Sequence, residues 1–116
     1  MPQYRAIEVT DTLVSRMVEV IVGACDPEQI ILFGSRATGN PKSCSDIDLL
    51  IVDSRPFDGG RDRFEEMTRI RGLLSRFAVP VDILLYSRDE VEEWRDSINH
   101  VIARALREGK VLYERP

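Results

Sequence analysis

The run DIDLLIV at residues 46–52 constrains this chain most, because it is the clearest strand in the sequence and carries two acids at its start. Side chains on a strand alternate between faces, so Asp46 and Asp48 project together while Ile47, Leu49 and Ile51 point the other way, into a core. Around it the chain alternates in kind. Residues 29–33, QIILF, form a short apolar run that stops at Gly34, as a buried strand would. Residues 79–86, VPVDILLY, read as a third strand with Pro80 near its start.

Helical spacing fills the intervals. Thr10 or Asp11 can cap a helix to about Gly23, in which Leu13, Val14, Met17, Val18 and Ile21 share an apolar face. Asp26-Pro27 then breaks it, since proline disfavours a helical residue before it. Residues 62–77 predict a second helix with Phe64, Met67, Ile70, Leu74 and Phe77 as its buried stripe. Residues 35–45 and 53–60 are loop and turn material. Ser87 with Glu90 matches a capping box that opens a helical region over 88–108, broken near Asp96 and Ser97. Gly109 stops it, and residues 111–113 predict a last short strand. The expected class is α/β (α+β): a small mixed β-sheet with helices packed mainly on one face. The 116 residues suit a single domain, 1–116.

Composition narrows the function. With 43% apolar residues a real core is available, and a net charge of −4 with dispersed basic residues leaves no basic stripe for long nucleic acid. The mixed charges of 61–76 read as a solvated helix face. Cys25 and Cys44 lack disulfide-framework or metal-ligand spacing, and nothing resembles a membrane span or a signal peptide, so a cytoplasmic protein is expected.

Two adjacent carboxylates repel each other, and ionising both is costly unless a cation sits between them. Magnesium suits that role, being a hard ion that shares its shell with water and substrate phosphates. Alone, an Asp-x-Asp is often two solvated acids and a Gly-Ser pair only a turn. Here Gly34-Ser35 ends one strand, ten residues intervene, and Asp46-Ile47-Asp48 opens the next. Amides of such a loop can cradle phosphate oxygens, with Gly34 permitting close approach, Ser35 donating a hydrogen bond and Arg36 neutralising charge. Asp82, inside an apolar strand, either pairs with a nearby arginine or joins the same cation cluster; the upstream motif favours the second. Three carboxylates beside a phosphate loop suit two-metal catalysis, at a metal spacing of about 3.5–4 Å. Lys42 reads as a solvated lysine, His100 as structural, and Trp94 and Tyr113 as core or interface.

Gly-Ser, ten residues, Asp-x-Asp and a later strand aspartate resemble the nucleotidyltransferase superfamily that includes the DNA polymerase beta type. The ending REGKVLYE, 107–114, resembles its minimal nucleotidyltransferase (MNT) branch, and the similarity runs over nearly the whole chain from the first helix onward. The resemblance implies that Asp46 and Asp48 bind two Mg2+ ions, and that Asp82 binds the catalytic one and helps deprotonate the acceptor. It also implies that Gly34 and Ser35 hold the triphosphate of a nucleoside triphosphate such as ATP. The resemblance further implies attack on the α-phosphorus, transferring a nucleoside monophosphate and releasing pyrophosphate. Thr38 departs from the pattern, standing where a second basic residue is frequent.

Minimal members are similar to antitoxins paired with a helical HEPN-domain toxin, some of which adenylylate a tyrosine of that toxin. Protein nucleotidylation is therefore the leading expectation. An antitoxin acting by binding alone is the second, and an aminoglycoside-type transfer to a small molecule the third, the chain lacking the extra helical domain those enzymes usually carry. An edge strand near Val111 leaves a homo-oligomer open.

Overall fold

A computed structural model describes residues 11–34, 47–97 and 100–116. In chain order the elements are α1 (Asp11–Cys25), β1 (Gln29–Phe33), β2 (Ile47–Asp53), α2 (Arg63–Leu74), β3 (Val81–Ser87), α3 (Arg88–Trp94), α4 (Val101–Glu108) and β4 (Lys110–Glu114). The four strands form one mixed sheet in the order β3-β2-β1-β4. β1 pairs antiparallel with both β2 and β4, whereas β2 and β3 run parallel. A parallel neighbour requires a long crossover, and here α2 supplies it.

Both faces of this sheet are covered. The larger layer packs Val14, Met17 and Ile21 of α1 and Ile70 and Leu74 of α2 on Ile30, Ile47, Leu49, Ile51, Ile83 and Leu85. The two longer helices thus share one face, as expected of this class. On the other face the short helices contribute Val91, Ile102 and Ala105, packed against Ile31, Leu50 and Val52. β2 is therefore buried on both sides, and each of its large aliphatic side chains contributes about 1.5–3 kcal/mol of transfer free energy.

The helix starts and stops have local causes. The Asp62 carboxylate accepts a hydrogen bond from the Phe64 amide and caps α2, which also carries Glu65 and Glu66 in its first turn and Arg71 in its last. A 3-10 turn, Ser75–Phe77, follows and ends at Ala78, whose φ is +55°. α1 continues two residues past the expected stop at Gly23, which faces solvent, and ends before Asp26 at φ +45°. The Cys25 thiol donates to the Ile21 carbonyl at 3.1 Å, and burial pushes its pKa up to about 11, so it stays protonated at neutral pH. β2 extends to Asp53, because that buried carboxylate is held in the sheet by the Arg61 guanidinium at 2.9 Å and the Arg55 amide at 2.9 Å. β3 begins at Val81, just after Pro80, whose carbonyl accepts the Ile47 amide.

One expected core residue is displaced. Phe64 is 78% exposed, whereas Ile70, Leu74 and Phe77 are buried. Each three-residue step along a helix turns the stripe by about 60° relative to the axis. Extrapolating the stripe of Met67, Ile70 and Leu74 back to Phe64 overshoots the packed face.

The capping box forms as read. The Ser87 hydroxyl accepts from the Glu90 amide at 3.2 Å, and the Ser87 amide donates to the Glu90 carboxylate at 2.9 Å. Arg63 also pairs with Glu90. Burial pushes the Glu90 carboxyl up, but the Ser87 backbone bond and Arg63 outweigh it and hold its pKa below the ordinary value. A depressed carboxyl stabilises the fold above its unfolded-state pKa and loses that contribution as pH falls through the folded value. Glu90→Ala is thus expected to cost about 1 kcal/mol at neutral pH. The deficit should shrink once pH falls below about 4, which denaturant melts of both proteins across pH would reveal. A deficit of constant size down to acid pH would remove the charge from this account.

α4 ends at Gly109, whose amide donates to the Ala105 carbonyl at 2.8 Å. A Cβ there would collide with that carbonyl and with the Ile31 side chain, and would lie 3.0 Å from the Leu32 carbonyl. Gly109→Ala is expected to destabilise the fold by about 1–3 kcal/mol, read as a lower urea midpoint. A midpoint equal to wild type would contradict this close contact between α4 and β1. β4 is an edge strand and leaves Val111 51% exposed. Among the described residues no helix is long and apolar enough to cross a membrane.

Candidate functional site

Strand register builds the site. β1 ends at Phe33, β2 opens at Ile47 and β3 opens at Val81, so all three reach the same end of the sheet. There Phe33 lies opposite Asp48, and Asp48 lies opposite Asp82. Directly opposed residues share a face, and neighbouring strands lie about 4.8 Å apart. Asp48 and Asp82 are thus side by side on the face that also carries Leu50 and Val52 of β2 and Leu84 and Tyr86 of β3. Further along, α3 and α4 cover that face; at this end Asp82 is exposed and Asp48 half-buried.

Gly34 completes the described part. It follows β1 with φ +76°, a left-handed conformation that favours glycine. A Cβ at this position would run into the Asp48 carboxylate, 3.2 Å from its Cγ. The positive φ favours glycine here, and the close approach sets the end of β1 against the acid on β2, whose carboxylate would have to turn aside for a side chain. Ser35, Arg36 and Asp46 lie outside the described residues, as do Thr38, Lys42 and Cys44. Among the described residues no group of three or more His, Cys, Asp or Glu side chains is placed to hold a metal ion. Asp48 and Asp82 make a pair, and the third acid expected from sequence is outside the described set.

The pair has a definite chemical character. Like charges directly opposite one another on neighbouring strands repel, and hard carboxylate oxygens are the donors that magnesium takes.

α4 adds a feature that sequence reading had not singled out. Val101, Arg104 and Glu108 line a cleft of about 220 Å³ with Phe33 and Gly34. Arg104 pairs with Glu108 at 3.7 Å, and both side chains are substantially exposed. The signal was available in the spacing. With Ile102 and Ala105 committed to the core, residues 101, 104 and 108 fall on a different flank of the helix. His100, expected to be structural, accepts the Ile102 amide through Nδ1 at 3.1 Å and stacks on Trp94 at 4.6 Å.

Comparison with known proteins bears on this geometry. The family described as Polymerase beta, Nucleotidyltransferase matches residues 16–116. No curated protein sequence matches the chain. Among solved structures, a Sulfolobus solfataricus protein assigned as a nucleotidyltransferase superposes with a TM-score of 0.57 at 24% identity, covering 90% of this chain and 79% of its own. A protein assigned as a minimal nucleotidyltransferase gives 0.55 at 25% identity, covering 86% and 92%. A variant of the toxin-antitoxin pair MntA-HpeT gives 0.63 at 17% identity, covering 93% and 75%. A toxin-antitoxin structure with AMP-PNP gives 0.55 at 22% identity, covering 87% and 73%.

Proposed function

The chain belongs to the polymerase beta nucleotidyltransferase family, and from that membership we propose that it transfers a nucleoside monophosphate, AMP from ATP, to a hydroxyl of a partner protein. The observation that carries the proposal is the register pair Asp48–Asp82 with Gly34 against the Asp48 carboxylate.

Asp48 and Asp82, with Asp46, would hold divalent cations, two magnesium ions on the family pattern. The donor set fits, since opposed carboxylates of this kind call for a hard cation. Such ions, when bound, supply positive charge near the reacting phosphorus and at the attacking oxygen. The remaining work falls to the chain. Gly34, Ser35 and Arg36 would receive the triphosphate, the glycine by letting phosphate approach the backbone closely and the other two by hydrogen bonding and charge. Asp82, exposed at the edge strand, would take the proton of an incoming hydroxyl. The acceptor oxygen then forms a bond to the α-phosphorus, the bond from that phosphorus to the bridging oxygen breaks, and pyrophosphate leaves with the bond's electron pair.

A protein acceptor is supported by kinship. Two structural neighbours are toxin-antitoxin proteins. We therefore read the chain as the antitoxin of an MNT type pair, with a HEPN-domain toxin as acceptor. Parallel reactions with ATP labelled at the α- or the γ-phosphate test this. Label from the α-position should enter the partner, and label from the γ-position should leave as pyrophosphate. Entry of the γ-label would make the protein a kinase and overturn the reading, whereas neutralisation of the toxin without entry of either label would leave binding as the mode of action.

A further inference from the structure

On the reading just given, the bond that breaks lies over Asp48 and Asp82, and the two outer phosphates must extend from there in one direction. Across this end of the sheet the order is Asp82 on β3, Asp48 on β2 and Gly34 at the end of β1. On the β3 side, a groove lined by Arg71, Leu74, Val81 and Ile83 belongs to the opposite face, where Leu74 and Ile83 join the α1/α2 layer. On the Gly34 side, the cleft beneath α4 opens on the same face as the acids, because Phe33 lines it and is the register partner of Asp48.

We infer that Arg104 adds a further contact to the outer, β- and γ-phosphate end of the nucleotide, in the cleft formed by Phe33, Gly34, Val101, Arg104 and Glu108. Arg104 is the cation among the described residues that line this cleft. Its partner Glu108 is one helical turn away at 3.7 Å, with 65% and 46% of the two side chains exposed. An exposed pair of that length is weak, so the guanidinium is free to exchange it for a polyphosphate, two of whose oxygens can accept from its planar, bidentate fork. As the α–β bond breaks, charge accumulates on the departing pyrophosphate, and Arg104 is placed to meet it there.

The inference rests on the nucleotidyltransferase reading, and the test separates the two. A fluorescent ATP analogue bound with magnesium would be displaced by ATP, by pyrophosphate and by AMP, on wild type, Arg104→Ala and Arg104→Lys. Arg104→Ala should weaken ATP and pyrophosphate about tenfold or more and leave AMP unchanged; Arg104→Lys should recover part of the loss. The melting temperature without nucleotide should stay at the wild-type value, because the side chain is exposed. An Arg104→Ala protein that binds ATP like wild type, or loses ATP and AMP equally, overturns the assignment while the activity stands. A wild-type protein that binds no ATP overturns both.

Discussion

Asp82→Asn and Asp48→Asn are each expected to lower nucleotide transfer by about 10²–10³-fold, and removing magnesium with a chelator should do the same. The argument is electrostatic. Each substitution keeps the side chain's shape and removes one charge from a pair set directly opposite across two parallel strands. With one charge gone, the reason to hold a divalent cation weakens, and with it the neutralisation of phosphate oxygens. Stability should move the other way for Asp82→Asn. That side chain is exposed, and losing a like-charge neighbour relieves a repulsion worth about 0.2–1 kcal/mol. The melting temperature, measured in chelator, should therefore hold or rise slightly while transfer collapses. A structural acid would show the reverse, a lower melting temperature and intact transfer.

Gly34 gives the second large effect. Gly34→Ala places a methyl group against the Asp48 carboxylate and forces a non-glycine residue to a φ of +76°. The backbone part costs about 1 kcal/mol, visible as a melting temperature several degrees lower. The collision turns the carboxylate out of position, and a misplacement of that size costs about 10²-fold in rate. Gly34→Asn separates the two causes. Asparagine tolerates positive φ better than alanine, yet its Cβ meets the same carboxylate. Stability should partly recover in Gly34→Asn while transfer stays low. Recovery of both would show that only the backbone conformation mattered and that Asp48 is not displaced.

What the sequence revealed follows from what is local. QIILF was legible as β1 to the residue, because an apolar run ended by a glycine needs no knowledge of its partners. The capping box at Ser87 and Glu90, the break between α3 and α4, and the terminal strand were legible for the same reason. Phe64 was misplaced because successive three-residue steps turn the apolar stripe by about 60° each, which carries position 64 off the packed face. Asp53 was read as turn material, since its arginine partner lies eight residues away across a loop. The candidate site divides along the same line. Asp48 and Asp82 stood out as acids in apolar strands, but their direct opposition is set by the parallel pairing that α2 makes possible. Arg104 was passed over because its cleft joins β1 to α4, which are distant in sequence.

Mass spectrometry of the partner tests the central claim most directly. The protein, magnesium, ATP and the protein encoded beside it would be incubated together, with Asp48→Asn as the control. One or more AMP additions on a hydroxyl residue of the partner, absent with Asp48→Asn, is the predicted result. An unmodified partner in a stable complex, or an addition that persists with Asp48→Asn, would contradict the account.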